Sequence, residues 1–258
     1  MNHPPAPTLL GVSLKMYFGY RQTVDWCRQV ARMAAAHPAL DSGRVELFIL
    51  PSFPALVPAG QAFAGSPVGL GAQNLYPADS GPFTGEVSGA QLREAGCRYV
   101  EVGHAERRRL FAEDDRMVAA KTAAALRNGL VPVICVGEQQ QVPVDEAARI
   151  CTAQLATAVE SADGLDGLPI VAAYEPVWAI GSSEPASAGH IRGVCARLQS
   201  WLAGQDRFPG HRVIYGGSAG PGLLTRLGRE VDGLFLGRFA HDVAALADIV
   251  DEAAARVP

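Results

Sequence analysis

The chain of 258 residues is predicted to fold as one closed (β/α)8 barrel in a single domain. Three observations carry that expectation. Short, near-continuous apolar runs recur along the chain, as parallel strands buried on both faces require. Segments of helical periodicity lie between them. Finally, about eight strand–helix units in roughly 250 residues suit a closed barrel better than an open doubly wound sheet. No G-x-G-x-x-G follows the first run, which weakens a dinucleotide-binding reading. No Gly/Ser or Pro linker divides the chain.

Taken in order, residues 1–8 (MNHPPAPT) carry prolines where a secretory leader would be apolar. They are expected to form a short lead-in to a barrel domain spanning 9–258. The first strand is read at Leu9–Val12. A helix over Thr23–Ala36 follows, with Val24, Cys27, Val30, Ala31 and Ala34 spaced as a stripe for packing on a sheet. The next strands are read at Val45–Leu50, Val68–Ala72 and Tyr99–Val102, then a helix at Asp114–Arg127. Strand Val131–Val136 precedes helix Val144–Ser161, and strand Ile170–Tyr174 precedes helix Ala188–Leu202. Strands Val213–Tyr215 and Gly233–Leu236 and a helix at Ala244–Ala255 complete the set.

Composition bounds the function. The formal net charge of −4 does not advertise a nucleic acid or an anionic membrane as partner. No apolar run reaches the roughly 18 residues needed to span a bilayer. The five cysteines form no C-x-x-C pair and suit a reducing cytosol better than a disulfide framework or zinc site. Of 22 basic residues only Lys15 and Lys121 are lysines, so a lysine near other reactive groups invites a chemical reason.

In such barrels the active site lies at the C-terminal ends of the strands. After the first strand stands Ser13-Leu14-Lys15-Met16, and after the fourth Gly103-His104-Ala105-Glu106-Arg107-Arg108. The sixth is followed by Glu175-Pro176-Val177-Trp178-Ala179-Ile180-Gly181, the seventh by Gly216-Gly217-Ser218, the eighth by Gly237-Arg238. Taken singly, most have ordinary readings: a snorkelling lysine, a structural histidine, a solvated charge run, a tight turn. Glu175 is the least ordinary, because it directly follows an apolar run where a charge is costly unless paired or used. Together an ammonium, an imidazole and a carboxylate suit proton transfer at a carbon beside a carbonyl. The glycine turns suit a phosphate. No cofactor and no metal is called for.

These segments closely resemble the triosephosphate isomerase family over nearly the whole chain. Ala173–Gly181 is similar to its catalytic strand and mobile loop, Val102–Arg108 to its electrophile segment and Tyr215–Ser218 to a phosphate-side turn. Gly71–Asn74 resembles the third strand, and Phe83-Thr84-Gly85-Glu86 the dimer loop. The resemblance implies a TIM barrel in which Glu175 shuttles the proton, His104 is the neutral electrophile and Lys15 favours the anionic intermediate. It gives Glu106 as a second carboxylate. Gly181, Ser218 and Gly237 would offer N–H groups to phosphate, and Pro176–Ser183 would close over the substrate. It also implies a cytoplasmic homodimer with Thr84 reaching toward the neighbour's site, and a place in glycolysis and gluconeogenesis.

Departures fall on substrate contacts. The family usually has Asn where this chain has Ser13, Ser where it has Ala105, and a second glycine where it has Arg238. The lid reads Gly181-Ser182-Ser183-Glu184-Pro185-Ala186 instead of Gly-Thr-Gly-Lys-Thr-Ala. The pattern is that of a divergent paralogue. Ser13 and Arg238 are therefore counted among the substrate-binding candidates. The first expectation is an aldose–ketose isomerase of triose phosphates acting through an enediolate. The same chemistry on a tetrulose phosphate such as erythrulose phosphate stands beside it. A Schiff-base aldolase using Lys15 and a sugar-phosphate-binding barrel without turnover are the remaining readings.

Overall fold

The computed structural model describes residues 6–256. Its strands are β1 (Thr8–Ser13), β2 (Val45–Leu50), β3 (Val68–Ala72), β4 (Tyr99–Val102), β5 (Val131–Val136), β6 (Val171–Tyr174), β7 (Arg212–Tyr215) and β8 (Gly233–Leu236). Each pairs in parallel with the next, and β1 pairs with β8 to close the barrel. Five long helices stand at Tyr20–Ala36, Asp115–Arg127, Val144–Glu160, Ala188–Ala203 and Val243–Ala255, within a few residues of expectation. Shorter ones at Leu56–Phe63, Gly89–Glu94, Ala105–Leu110 and Leu223–Leu227 were not expected. One or two turns are too few for a helical period to stand out. Thr8, placed in the lead-in by the sequence, is buried and pairs with Val45, so it belongs to β1. Residues 1–5 of that lead-in lie outside the described residues. Among the described residues no helix is long and apolar enough to cross a membrane.

Side chains alternate across each strand, so one set faces the helices and the other fills the barrel. Leu10, Val12, Val100, Val102, Ile134 and Val213 face outward into the larger core under the helices. Leu9, Phe48, Tyr99, Val131, Val133, Val171, Ile214 and Phe235 form a separate inner cluster, the barrel floor. Phe48 stacks on Tyr99 with centroids 4.2 Å apart. On β1 the inward position between Phe48 and Phe235 is Gly11; a Cβ there would collide with both rings. The missing side chain is what lets the two phenyl rings fill the floor.

One inward position further along the same strands the chemistry changes. Ser13 follows Gly11, Glu101 follows Tyr99, Cys135 follows Val133, and Glu175 follows Ala173. The N–H of Glu175 donates to the carbonyl of Val136 at 2.8 Å, continuing the β5–β6 ladder beyond the last assigned strand residue. All four of these side chains are buried.

Candidate active site

Lys15 follows β1 at φ 49. This left-handed conformation costs a non-glycine residue about 1–2 kcal/mol. The turn is held by Gln73, whose amide donates to the carbonyls of Lys15 (3.1 Å) and Leu50 (2.9 Å). The ammonium of Lys15 reaches Glu106 Oε1 at 3.0 Å. Burial works against its charge, but Glu175, Glu106 and Glu101 more than offset that and hold its pKa above the ordinary 10.5. An amine held protonated is a cation and a poor nucleophile, so the geometry does not favour the Schiff-base reading. Burial opposes ionisation of Glu106 as well; the Lys15 ammonium leads the charges that outweigh it and keep its carboxyl below the usual range.

His104 caps the helix Ala105–Leu110: its Nδ1 accepts from the backbone N–H of Glu106 at 3.1 Å. A neutral imidazole that accepts at Nδ1 carries its hydrogen on Nε2. That Nε2 lies 3.6 Å from Glu175 Oε2, and neither atom has a hydrogen-bond partner among the described residues. A donor N–H and a carboxylate oxygen thus face one another across a gap, both buried and both unsatisfied. Such an arrangement can polarise a carbonyl oxygen and accept a proton from the neighbouring carbon. Space for the Glu175 carboxylate comes from β7. A Cβ on Gly216 would lie 2.6 Å from Glu175 Oε1.

The segment Pro176–Ser183 lies against the turn after β7. Ser218 donates its hydroxyl toward the carbonyls of Ala179 (2.9 Å) and Ser182 (3.0 Å), and the N–H of Ala186 donates to Tyr215 Oη at 3.1 Å. Glu138, one residue past the Gly137 that follows β5, accepts from Trp178 Nε1 at 2.8 Å and from Tyr174 Oη at 3.1 Å. His190 Nε2 lies 3.0 Å from the same phenol.

Ser13, Lys15, His104, Glu106 and Glu175 therefore converge. Gly181, Ser218 and Gly237 stand on the β6, β7 and β8 turns. Among the described residues their backbone N–H groups have no backbone acceptor. Arg238 is exposed, with its guanidinium 6.0 Å from the Tyr17 ring. Thr84 is exposed on the loop between Tyr76 and Ser88 and has no hydrogen bond to this cluster. The other lysine, Lys121, is part of a buried prop, bonding Glu113 and Asn74. Among the described residues no group of acidic, histidine and cysteine side chains is set to hold a metal ion.

Two residues were missed by sequence reasoning. Glu138 was passed over although it is an acid just beyond a buried strand. Glu101 was hidden inside the Tyr99–Val102 run and is only 3% exposed. Its place in the alternation, two residues after Tyr99, was the available signal. Ser13 Oγ donates to Glu101 Oε2 at 2.9 Å, while Glu101 Oε1 lies 4.0 Å from His104 Nε2 and 3.9 Å from the Cys135 thiol. Burial and Glu175 raise the Glu101 pKa above its ordinary value, against the pull of Lys15 and the Ser13 hydroxyl. Burial, with Glu175 and Glu101, likewise pushes the Cys135 thiol well up, so it stays a neutral wall.

Comparison with known proteins bears on the family and the fold. The family model described as triosephosphate isomerase matches residues 8–253. An L-erythrulose-1-phosphate isomerase of Pectobacterium atrosepticum is 58% identical over 246 residues, covering 95% of each chain. A triosephosphate isomerase of Symbiobacterium thermophilum is 40% identical over 216 residues, 81% of this chain and 84% of that one. The crystal structure of triosephosphate isomerase from Bartonella henselae superposes with a TM-score of 0.80 at 29% identity, over 96% of this chain and 98% of that chain.

Proposed function

Because the chain belongs to the triosephosphate isomerase family and is an isomerase of short sugar phosphates, we propose that its substrate is a four-carbon ketose phosphate of the L-erythrulose 1-phosphate type. The observation that carries this is the 58% identity to an L-erythrulose-1-phosphate isomerase across 95% of both chains. Identity to the triosephosphate isomerase of Symbiobacterium thermophilum is 40% over a shorter span. The sequence reading put the three-carbon substrate first; the relatives shift the weight to the four-carbon one. That shift also moves the enzyme away from the triose interconversion of glycolysis and gluconeogenesis.

In this reading the phosphate sits on the N–H groups of Gly181, Ser218 and Gly237. Glu175 takes the proton from the carbon beside the carbonyl. The Nε2–H of His104 polarises the carbonyl oxygen, and Lys15 offsets the negative charge of the enediolate. As the hydroxyl proton passes by way of His104 from the oxygen that becomes the new carbonyl to the oxygen of the old one, return of the proton from Glu175 to the adjacent carbon completes the transfer. In erythrulose 1-phosphate the ketone is at C2, so moving the proton from C3 to C2 leaves the carbonyl at C3. The product is a ketose phosphorylated at the other end. The Pro176–Ser183 segment, tied to Ser218, excludes water while the enediolate exists.

The same reading includes a homodimer in the cytosol. Its support is the exposed Met16, Tyr17, Tyr20 and Phe83 on the strand-end face, with five free buried cysteines. The test of substrate is kcat/KM of the purified protein on L-erythrulose 1-phosphate and on dihydroxyacetone phosphate. The four-carbon value is expected to be higher by at least ~10-fold, the scale of one extra carbon's contacts in a fitted pocket. An equal or higher three-carbon value defeats the assignment.

A further inference from the structure

We propose that Glu101, held by Ser13, is a specificity-determining residue that receives the hydroxyl of the substrate's fourth carbon. The inference rests on the four-carbon reading above and names the group that would recognise the extra carbon.

Glu101 is buried, yet its one hydrogen bond of ordinary length is the 2.9 Å contact with Ser13. A carboxyl group offers about four lone-pair sites. The other oxygen, Oε1, accepts only weakly, from a thiol at 3.9 Å, with His104 Nε2 at 4.0 Å. His104 Nε2 and Glu175 Oε2 are themselves unpartnered. Three polar groups short of a strong hydrogen bond therefore stand together, His104 Nε2 lying 4.0 Å from Glu101 Oε1 and 3.6 Å from Glu175 Oε2. Burying such groups is costly unless a ligand supplies the partner.

A triose phosphate can satisfy two of them. Its two non-phosphate oxygens are those of the enediolate, served by His104 and Lys15, while Glu175 works on the carbon. No third oxygen remains for Glu101. A tetrulose phosphate has one more hydroxyl, on the carbon furthest from the phosphate. Topology places Glu101 at that end. In the closed order β1 to β8, β4 stands opposite β8, and the Gly237 turn follows β8 while Glu101 lies within β4. A substrate anchored by phosphate at the β8 rim points its other end across the barrel toward β4. Glu101 stands deeper along β4 than His104. Ser13, shorter than the asparagine usual in the family, leaves room and fixes the carboxyl with its hydroxyl.

The test compares wild type, Glu101→Leu and Glu101→Gln on L-erythrulose 1-phosphate and dihydroxyacetone phosphate, with thermal melts to confirm folding. In Glu101→Leu the ratio of four-carbon to three-carbon kcat/KM is expected to fall ~10–100-fold, mainly through KM. Glu101→Gln, which keeps hydrogen-bonding capacity, should recover part of that loss. If both substrates decline in parallel, or neither changes, Glu101 is a general support and the proposal is overturned. The wild-type arm separates this from the assignment beneath it. A wild type preferring the triose defeats the four-carbon reading before any variant is needed. A wild type preferring the tetrulose, with its ratio unmoved in Glu101→Leu, defeats the Glu101 proposal alone.

Discussion

The floor of the barrel is Phe48, Tyr99, Ile214, Phe235 and their aliphatic neighbours, whereas one inward position along the strands stand Ser13, Glu101, Cys135 and Glu175. Both layers are buried, and they hang on the same ladders. In the floor the rings and aliphatic chains gain by leaving water: full burial of a ring such as Phe48 is worth ~1.5–3 kcal/mol. In the upper layer two carboxyl groups have left water with few partners, which destabilises the fold. The difference separates two uses of one scaffold. The floor provides the stability that the upper layer draws down to keep reactive groups poised.

That contrast can be tested by exchanging the kinds of damage. The largest effect is expected for Glu175→Gln, which should lower kcat by ~10²–10⁴ while leaving the melting temperature unchanged or higher. Near-normal turnover would remove Glu175 from the chemistry. Phe48→Ala should do the reverse, destabilising by about 3–5 kcal/mol in urea titrations while kcat of the remaining folded fraction is kept. Equal loss of stability in both variants would erase the distinction between the layers. Gly216→Ala lies at the seam: its Cβ would push on Glu175 Oε1. It should reduce kcat up to ~10²-fold, the cost of displacing a catalytic group by about 1 Å, with stability only mildly reduced.

The smallest effect concerns pH. The Glu101 carboxyl is raised above its ordinary 4.5. Above pH 4.5 the unfolded chain has released this proton while the native protein still holds it, so this group's contribution to stability falls as pH rises, until the native carboxyl also ionises. Glu101→Gln has no such proton. Its stability relative to wild type should therefore grow with pH through that window and then level off. Parallel stability curves would show that burial at β4 carries no penalty of this kind.

Much of this contrast was legible in the sequence, but unevenly. The strands stood out because both of their faces are apolar, and Glu175 stood out because it ends such a run. Lys15 and His104 followed from their places after β1 and β4. Glu101 did not, because Val100 and Val102 on either side face the helices and make the run look uniformly apolar. Alternation separates the two faces only once the closed sheet gives the strand an inside. The Ser13–Glu101 bond joins residues 88 apart in sequence, a proximity no local pattern encodes. Short helices such as Ala105–Leu110 were missed for a different reason. That one is set by a side-chain cap, His104 Nδ1 on the N–H of Glu106, and not by a periodic stripe.

Ser218 joins two tasks in one residue, at φ 53 after β7. Its hydroxyl holds the carbonyls of Ala179 and Ser182, and its N–H is proposed to meet the phosphate. Affinity then follows from linkage: if the anion favours the closed segment, the closed segment tightens the binding of the anion by the same factor. Binding of the anion is thereby coupled to one hydroxyl proton, shared between two carbonyls, that never touches the reacting carbons. Removing that hydroxyl in Ser218→Ala is expected to raise KM and leave kcat nearly unchanged.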